Sequence, residues 1–257
     1  YDRLVGSEMC IRDRKVEIRF RFDSKRSRQA SMKQAFRQIV ILIWKDLLID
    51  LRRRENLLSM LLFALVILLV FHFSMGRQTA IFIGLLPGVV WVVFLLSGVL
   101  GLSKSFLQEM ETGCIGGLLM SPTDRSILFL GKMLATTLFL LISQILFIPL
   151  CLVLYEKIEV SNWGEFGLVL LTGTLGFSSL GTLLSVMTAS LRGREMLLPI
   201  LLFPLVVPNL LSLVHLTDHL FFGSHVRTVE SWWTLLLSYN VVLITLSIIG
   251  FEFVVEE

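Results

Sequence analysis

The chain has 257 residues, of which 55% are hydrophobic, and its mean hydropathy of +0.81 lies well above that of ordinary soluble domains. Its formal net charge of +3 arises in residues 1–31, which hold nine Lys/Arg against five Asp/Glu, whereas residues 32–257 hold fourteen against fifteen. The composition therefore excludes an ordinary soluble domain, and the basic balance gives no indication of nucleic-acid binding.

Residues 1–31 are predicted to be a doubtful or disordered N-terminal tail. They lack the apolar core of a secretory signal, and their opening YDRLVGSEMCIRDR is similar to translated sequencing-adapter sequence. A gene-model artefact would place the start at Met32, while a disordered basic cytoplasmic tail would give the same pattern. We therefore leave this segment out of the functional interpretation.

Residues 32–56 are predicted to contain an amphipathic helix that lies in the membrane interface. Its apolar side chains recur at helical spacing, and Lys45, Asp46 and Asp50 would be costly near the middle of a bilayer. A separate spanning helix is the alternative. The helix ends in an arginine cluster that we expect to brace the membrane domain and contact anionic lipid, namely Arg52, Arg53 and Arg54.

Six apolar runs of membrane length follow within residues 57–255. They predict an all-α, polytopic membrane domain over residues 32–257, with spans at about 57–75, 80–102, 133–155, 166–191, 196–216 and 231–255. The fifth run contains Pro199, Pro204 and Pro208, which should kink or break the helix because each proline removes a backbone donor. Both a moving hinge and a static kink fit this pattern.

The distribution of Lys and Arg among the loops predicts the orientation. With the N-terminus inside, eleven Lys/Arg from Met32 onward fall on the inner side and three on the outer side. The positive-inside rule then places both termini and the loop between the second and third spans in the cytoplasm. Trp163, Trp232 and Trp233 fall near the outer interface, where aromatic belts occur.

The loop between the second and third spans, residues 104–132, is far longer than a simple turn requires. It places acidic residues first, then glycines, a leucine pair, Ser-Pro and Asp-Arg, and finally Gly-Lys. Pro122 would end a helix and Asp124 could cap the next one. This order predicts a short cytoplasmic helix followed by a turn, which would serve either as a docking surface for a soluble partner or simply as a solvated loop.

The chain carries no sequence motif for chemistry of its own. It has no P-loop pattern and no nucleophile elbow, and Cys10, Cys114 and Cys151 lack metal or disulfide spacing. No residue is therefore predicted to be catalytic or to bind a metal, and the source of energy for any driven process is expected in another subunit.

Four stretches carry a family resemblance: Asp46–Phe73, Leu85–Phe106, the segment from Gln108-Glu109 to Gly131-Lys132, and Leu197–Leu210. Together they resemble the signature of ABC-2-type permeases, and more closely the cytochrome c maturation protein B (CcmB) family, also called haem exporter protein B. The similarity covers nearly all of Met32–Val255. Its most specific parts are the arginine-rich entry to the first span and the Leu-Leu-Met-Ser-Pro segment.

The resemblance implies a permease subunit in the bacterial inner membrane, in two copies. Its expected partners are a separate ATPase (the A subunit) that binds ATP, the haem-handling C and D subunits, and the haem chaperone E. The complex handles haem, while this chain binds no cofactor of its own. The resemblance assigns ATPase docking and coupling to residues of the long loop, namely Glu109, Glu111, Gly113, Leu118, Leu119, Pro122 and Asp124.

Two other functions remain open from the sequence. One is an ABC-2 exporter of lipid, polysaccharide or drug, although the spans hold few charges for a large polar cargo. The other is a membrane scaffold that transports nothing and passes the motion of the ATPase to neighbouring subunits. The histidines of the outer side (His72, His215, His219 and His225) could ligate haem iron or merely lie at a polar boundary.

Overall fold

A computed structural model describes residues 37, 39–52, 54–75, 84–111, 125–155, 160–189, 194–223 and 229–256. Its contacts divide the chain into two units, Tyr1–Ile41 and Leu42–Glu257. Within the first unit, the structure describes residues 37 and 39–41, which are helical. The second unit contains the membrane bundle.

The prediction of an all-α, six-span membrane protein is confirmed. Six helices are each long and apolar enough to cross a membrane, and the part of the chain that the structure describes contains no strand. The chain is therefore a multi-pass membrane protein. The helices are α1 (Arg54–Met75), α2 (Leu86–Glu111), α3 (Arg125–Leu154), α4 (Trp163–Ala189), α5 (Arg194–Phe222) and α6 (Val229–Glu256).

The helix ends differ from the predicted spans most clearly around the long loop. Helix α2 continues to Glu111, because residues 103–111 contain neither glycine nor proline to end it. Helix α3 already begins at Arg125, directly after the Pro122–Asp124 segment. The predicted loop of residues 104–132 is thus helical at both ends, and only residues 112–124, which lie outside the described residues, separate the two helices.

Helix α4 lies at the centre of the bundle and packs against α2, α3, α5 and α6. Its glycines allow this close approach. A Cβ built on Gly173 would lie 2.7 Å from the Leu213 side chain of α5, and one on Gly181 would lie 2.6 Å from Leu102 of α2. Small residues at helix contacts are a common feature of membrane bundles, where helices associate through close packing.

Helix α5 runs unbroken through its three prolines. Of the predicted kink or break, the break is therefore absent. Each proline removes a single backbone donor, and a membrane helix can continue past such a position.

The predicted N-terminal amphipathic helix is present over residues 39–52. Leu47 packs against the main apolar core, while Trp44 is 65% exposed. A Cβ on Gly131, near the start of α3, would lie 2.5 Å from the Leu42 side chain. The segment from Leu42 onward thus packs on the bundle and turns a large aromatic side chain outward, as expected for a helix that borders lipid.

Candidate functional site at the helix ends beside residues 112–124

The predicted docking residues are divided between α2 and the segment that follows it. Glu109 and Glu111 lie in the last turn of α2. The remaining members of the set lie outside the described residues, namely Gly113, Leu118, Leu119, Pro122 and Asp124. Of this site, the structure therefore describes the two helix ends on either side of residues 112–124.

Helix α2 is tied to α1 at Gly101, ten residues before the end of α2 at Glu111. The Asn56 side chain is buried in the first turn of α1, and its Nδ2 donates a hydrogen bond of 3.3 Å to the Gly101 carbonyl oxygen. One turn further along α1, the Met60 thioether lies directly against Gly101, where there is no side chain to keep it away. The last turns of α2 therefore extend from a point that is fixed on α1.

Helix α3 is tied to α6 at the same end. The Ser126 hydroxyl donates a hydrogen bond to the Glu252 carboxylate, and the rings of Phe129 and Phe251 pack with their centroids 5.2 Å apart. The first turns of α3 also contact the N-terminal helix through Gly131. Helix α3 is thus anchored directly beside residues 112–124, whereas the contact of α2 with α1 at Gly101 lies about 15 Å before the end of α2 at Glu111.

The arginine cluster is only partly described. Arg52 ends the N-terminal helix and Arg54 begins α1, and both side chains are exposed, while Arg53 lies outside the described residues. The exposed positions suit contact with lipid headgroups or a partner. The contacts that hold the bundle together at this end come instead from Asn56 and other neighbours, so the bracing role of the arginines stays a prediction.

A buried carboxylate lies in the N-terminal helix at this end of the bundle. Asp46 is 6% exposed, and the Lys45 Nζ lies 3.0 Å from its Oδ1. The other oxygen, Oδ2, is buried and makes no hydrogen bond. The sequence reasoning placed both charges at the interface and did not anticipate that one of them is buried.

Two asparagines tie α5 and α6 to α4 inside the bundle. Asn209 Nδ2 donates to the Gly173 carbonyl at 3.3 Å, and Asn240 Nδ2 donates to the Thr172 carbonyl at 2.9 Å. Both amides occupy the space that the missing side chain of Gly176 leaves open. The sequence reasoning missed this cluster, although an isolated Asn within an apolar span is itself a signal, because a buried amide must find a partner.

Further polar contacts join other helix pairs. Thr137 and Ser178 hydrogen-bond at 2.6 Å between α3 and α4, and the Trp91 indole Nε1 donates to Thr217 Oγ1 at 2.8 Å between α2 and α5. Within a bilayer such bonds fix which helix faces lie against one another. These hydrogen bonds therefore help to determine how the helices of the bundle pack together.

The histidines of the predicted outer side have aromatic neighbours. The His72 ring makes an edge contact with Tyr155 at 5.5 Å, and the His215 ring stacks on Trp232 at 4.1 Å between centroids, with 21° between the planes. His225 lies outside the described residues. Within the described ranges, no group of three or more His, Cys, Asp and Glu side chains is placed to hold a metal ion.

Comparison with known proteins gives one consistent family. The family model described as "CcmB protein" matches residues 37–256. The chain is 30% identical over 171 residues to "Heme exporter protein B" of Pseudomonas aeruginosa, which is 66% of this chain and 76% of the relative. It is 29% identical over 170 residues to the protein of that name from Haemophilus influenzae, with the same two coverages.

A shorter match, 27% identical over 90 residues, links the chain to "Heme exporter protein B" of Escherichia coli K12, covering 35% of this chain and 41% of the relative. The family model covers most of the chain, including all six membrane-length helices. The chain therefore belongs to the CcmB protein family.

Proposed function

We propose that this chain is the membrane permease subunit of a haem-exporter complex that serves the maturation of c-type cytochromes. The observation that carries the proposal is the family match over residues 37–256, together with relatives whose printed name is heme exporter protein B. The proposed location is the bacterial inner membrane with both termini in the cytoplasm. The Lys/Arg bias of the loops supports this orientation.

The energy for the process comes, in this proposal, from a separate ATPase subunit that docks on the segment from Glu109 to Asp124. The absence of a P-loop pattern from the sequence supports an external source of energy. The contact of α2 with α1 and the anchored start of α3 also support it, because a force applied to residues 112–124 would be passed to α1 through Asn56 and to α6 through Ser126. If α2 and α3 were not held by other helices, local bending would dissipate such a force.

The remaining partners follow from the family. We propose that two copies assemble with the haem-handling C and D subunits, and that ATP hydrolysis is linked to release of the haem-loaded chaperone E at the periplasmic face. ATP then binds the partner subunit and haem is held by the complex, while this chain needs no resident cofactor.

The docking proposal is tested by replacing the leucine pair with Leu118→Asp and Leu119→Asp in the full chain, expressed together with its ATPase. We expect the ATPase to be lost from the purified complex, because two carboxylates would have to be desolvated in an apolar contact. A matched control is Ile158→Asp, which changes an apolar residue in the sequence between α3 and α4 and should leave the ATPase bound. Retention of the ATPase by the double variant would refute the docking assignment.

The cargo is tested separately in a strain that lacks its own relative of this chain. Covalent haem in c-type cytochromes, measured by haem-peroxidase staining of gels, should return with the native chain and stay absent with the double variant. An ATPase that co-purifies with a chain unable to restore cytochrome maturation would favour an exporter of another cargo.

A further inference from the structure

Helix α5 packs differently along its two halves. Among residues 196–208 the fully buried side chains are Leu198, Leu202 and Val206, one in every four residues, so they form a single row, beside which the partly buried Phe203 also packs on the core. Residues 209–222 bury a broader face with about two side chains per turn, namely Asn209, Ser212, Leu213, Leu216, Thr217, Leu220 and Phe221. A wider buried face fixes a helix more firmly, because each added contact must be broken before the helix can tilt.

The hydrogen bonds of α5 show the same division. The C-terminal half is tied to α4 through Asn209, to α2 through Thr217, and to the segment before α4 by the Ser161 hydroxyl, which donates to the Leu220 carbonyl at 2.9 Å. Residues 196–208 contain no polar side chain. The Tyr239 hydroxyl of α6 reaches this half at the Leu205 carbonyl, at 2.5 Å, close to the midpoint of the helix.

All three prolines lie in the loosely packed half. A proline has no backbone N–H to donate to the carbonyl four residues earlier. The carbonyls of Glu195, Ile200 and Pro204 therefore lose their helical donors. The half of α5 with fewer contacts therefore also has the weaker internal hydrogen bonding. This coincidence is specific to α5, because the other described membrane helices contain at most one proline each, namely Pro87 in the first turn of α2 and Pro149 in α3.

We infer that α5 is a lever that bends at residues 204–208 while its C-terminal half stays fixed on α4. Asn209 is the fulcrum, since it is the first buried polar tie beyond the prolines, and residues 194–203 swing as one unit. Ten residues of helix span about 15 Å, so a bend of about 20° moves Arg194 by about 5 Å. The inference concerns the chain itself and holds with or without ATP, haem or a particular cargo.

The test measures spin-label distances in the full-length chain, diluted with unlabelled chain in lipid nanodiscs. One pair of cysteines, at Met196 and Met187, reports the N-terminal half of α5 against α4. The matched pair, at Leu211 and Leu168, reports the C-terminal half against the same helix. All four positions are exposed, so the labels do not disturb the core. We expect the first distance distribution to be about twofold broader than the second, as for two segments of unequal local stability.

Two variants separate a lever from a helix that is loose everywhere. Pro204→Ala restores a helical donor and should narrow the first distribution while leaving the second unchanged. Asn209→Ala removes the fulcrum and should broaden the second distribution. Equal widths of the two distance distributions in the native chain would overturn the inference. It would also be overturned if Pro204→Ala failed to narrow the distribution of the N-terminal pair, or if Asn209→Ala left the distribution of the C-terminal pair unchanged.

Discussion

Replacing Gly176 by alanine is the sharpest test of the packing inside the bundle. A Cβ at this position would overlap the Asn240 Oδ1 and lie 2.9 Å from the Asn209 Nδ2. The Asn240 amide would have to withdraw, although it is held by its 2.9 Å hydrogen bond to the Thr172 carbonyl. In the Gly176→Ala variant, the new methyl group and the buried Asn240 amide would therefore compete for the same space.

The expected magnitude follows from three terms. Loss of an interhelical hydrogen bond in a membrane costs about 0.6–1.7 kcal/mol, and crowding a packed core costs about 1–3 kcal/mol. The better helix propensity of alanine returns about 1 kcal/mol. We expect a net loss of about 2 kcal/mol, which is roughly a 30-fold fall in the ratio of folded to unfolded protein.

The assay is reversible unfolding of the purified chain in mixed micelles of increasing SDS content, followed by tryptophan fluorescence and circular dichroism. Gly167→Ala is the matched control, because Gly167 lies in the same helix and a Cβ there meets nothing within 4 Å. The reasoning fails if both variants unfold at the same SDS fraction. In the Gly176→Ala background, Asn240→Ala should recover stability, since it removes the group that the methyl displaces.

Two further predictions concern other contacts between helices. Trp91→Phe and Thr217→Val should each destabilise the bundle by about 1 kcal/mol in the same assay, and the double variant should lose little more than either one, because both remove one hydrogen bond; additive losses would show that the bond contributes nothing. Gly101→Ala should cost less than Gly176→Ala, under about 1 kcal/mol, because the atoms that its Cβ meets belong to the flexible Met60 thioether. An equal or larger loss at Gly101 would indicate that Met60 cannot move aside.

The sequence predicted the number of membrane helices and their approximate positions, because a run of about twenty apolar residues has few alternatives to a spanning helix. Helix ends were less certain where polar residues follow an apolar run. Residues 104–111 of the predicted loop continue α2, since hydropathy marks where a helix leaves the apolar region and not where its backbone hydrogen bonds end. The docking residues of this loop remain predictions.

Only the tertiary structure decided which polar side chains meet. The Asn56 side chain hydrogen-bonds to the Gly101 carbonyl, and the Ser126 hydroxyl hydrogen-bonds to the Glu252 carboxylate. The amides of Asn209 and Asn240 both pack against Gly176. Each of these contacts joins residues that are far apart in sequence. The order of residues along a helix indicates which of them share a face, but it does not indicate which neighbour covers that face. The composition and the apolar runs of this chain by themselves determined a six-helix membrane protein. The unequal anchoring of α5, the contact of α2 with α1 at Gly101 and the anchored start of α3 depend on how the six helices pack, which small residues and a few buried hydrogen bonds determine.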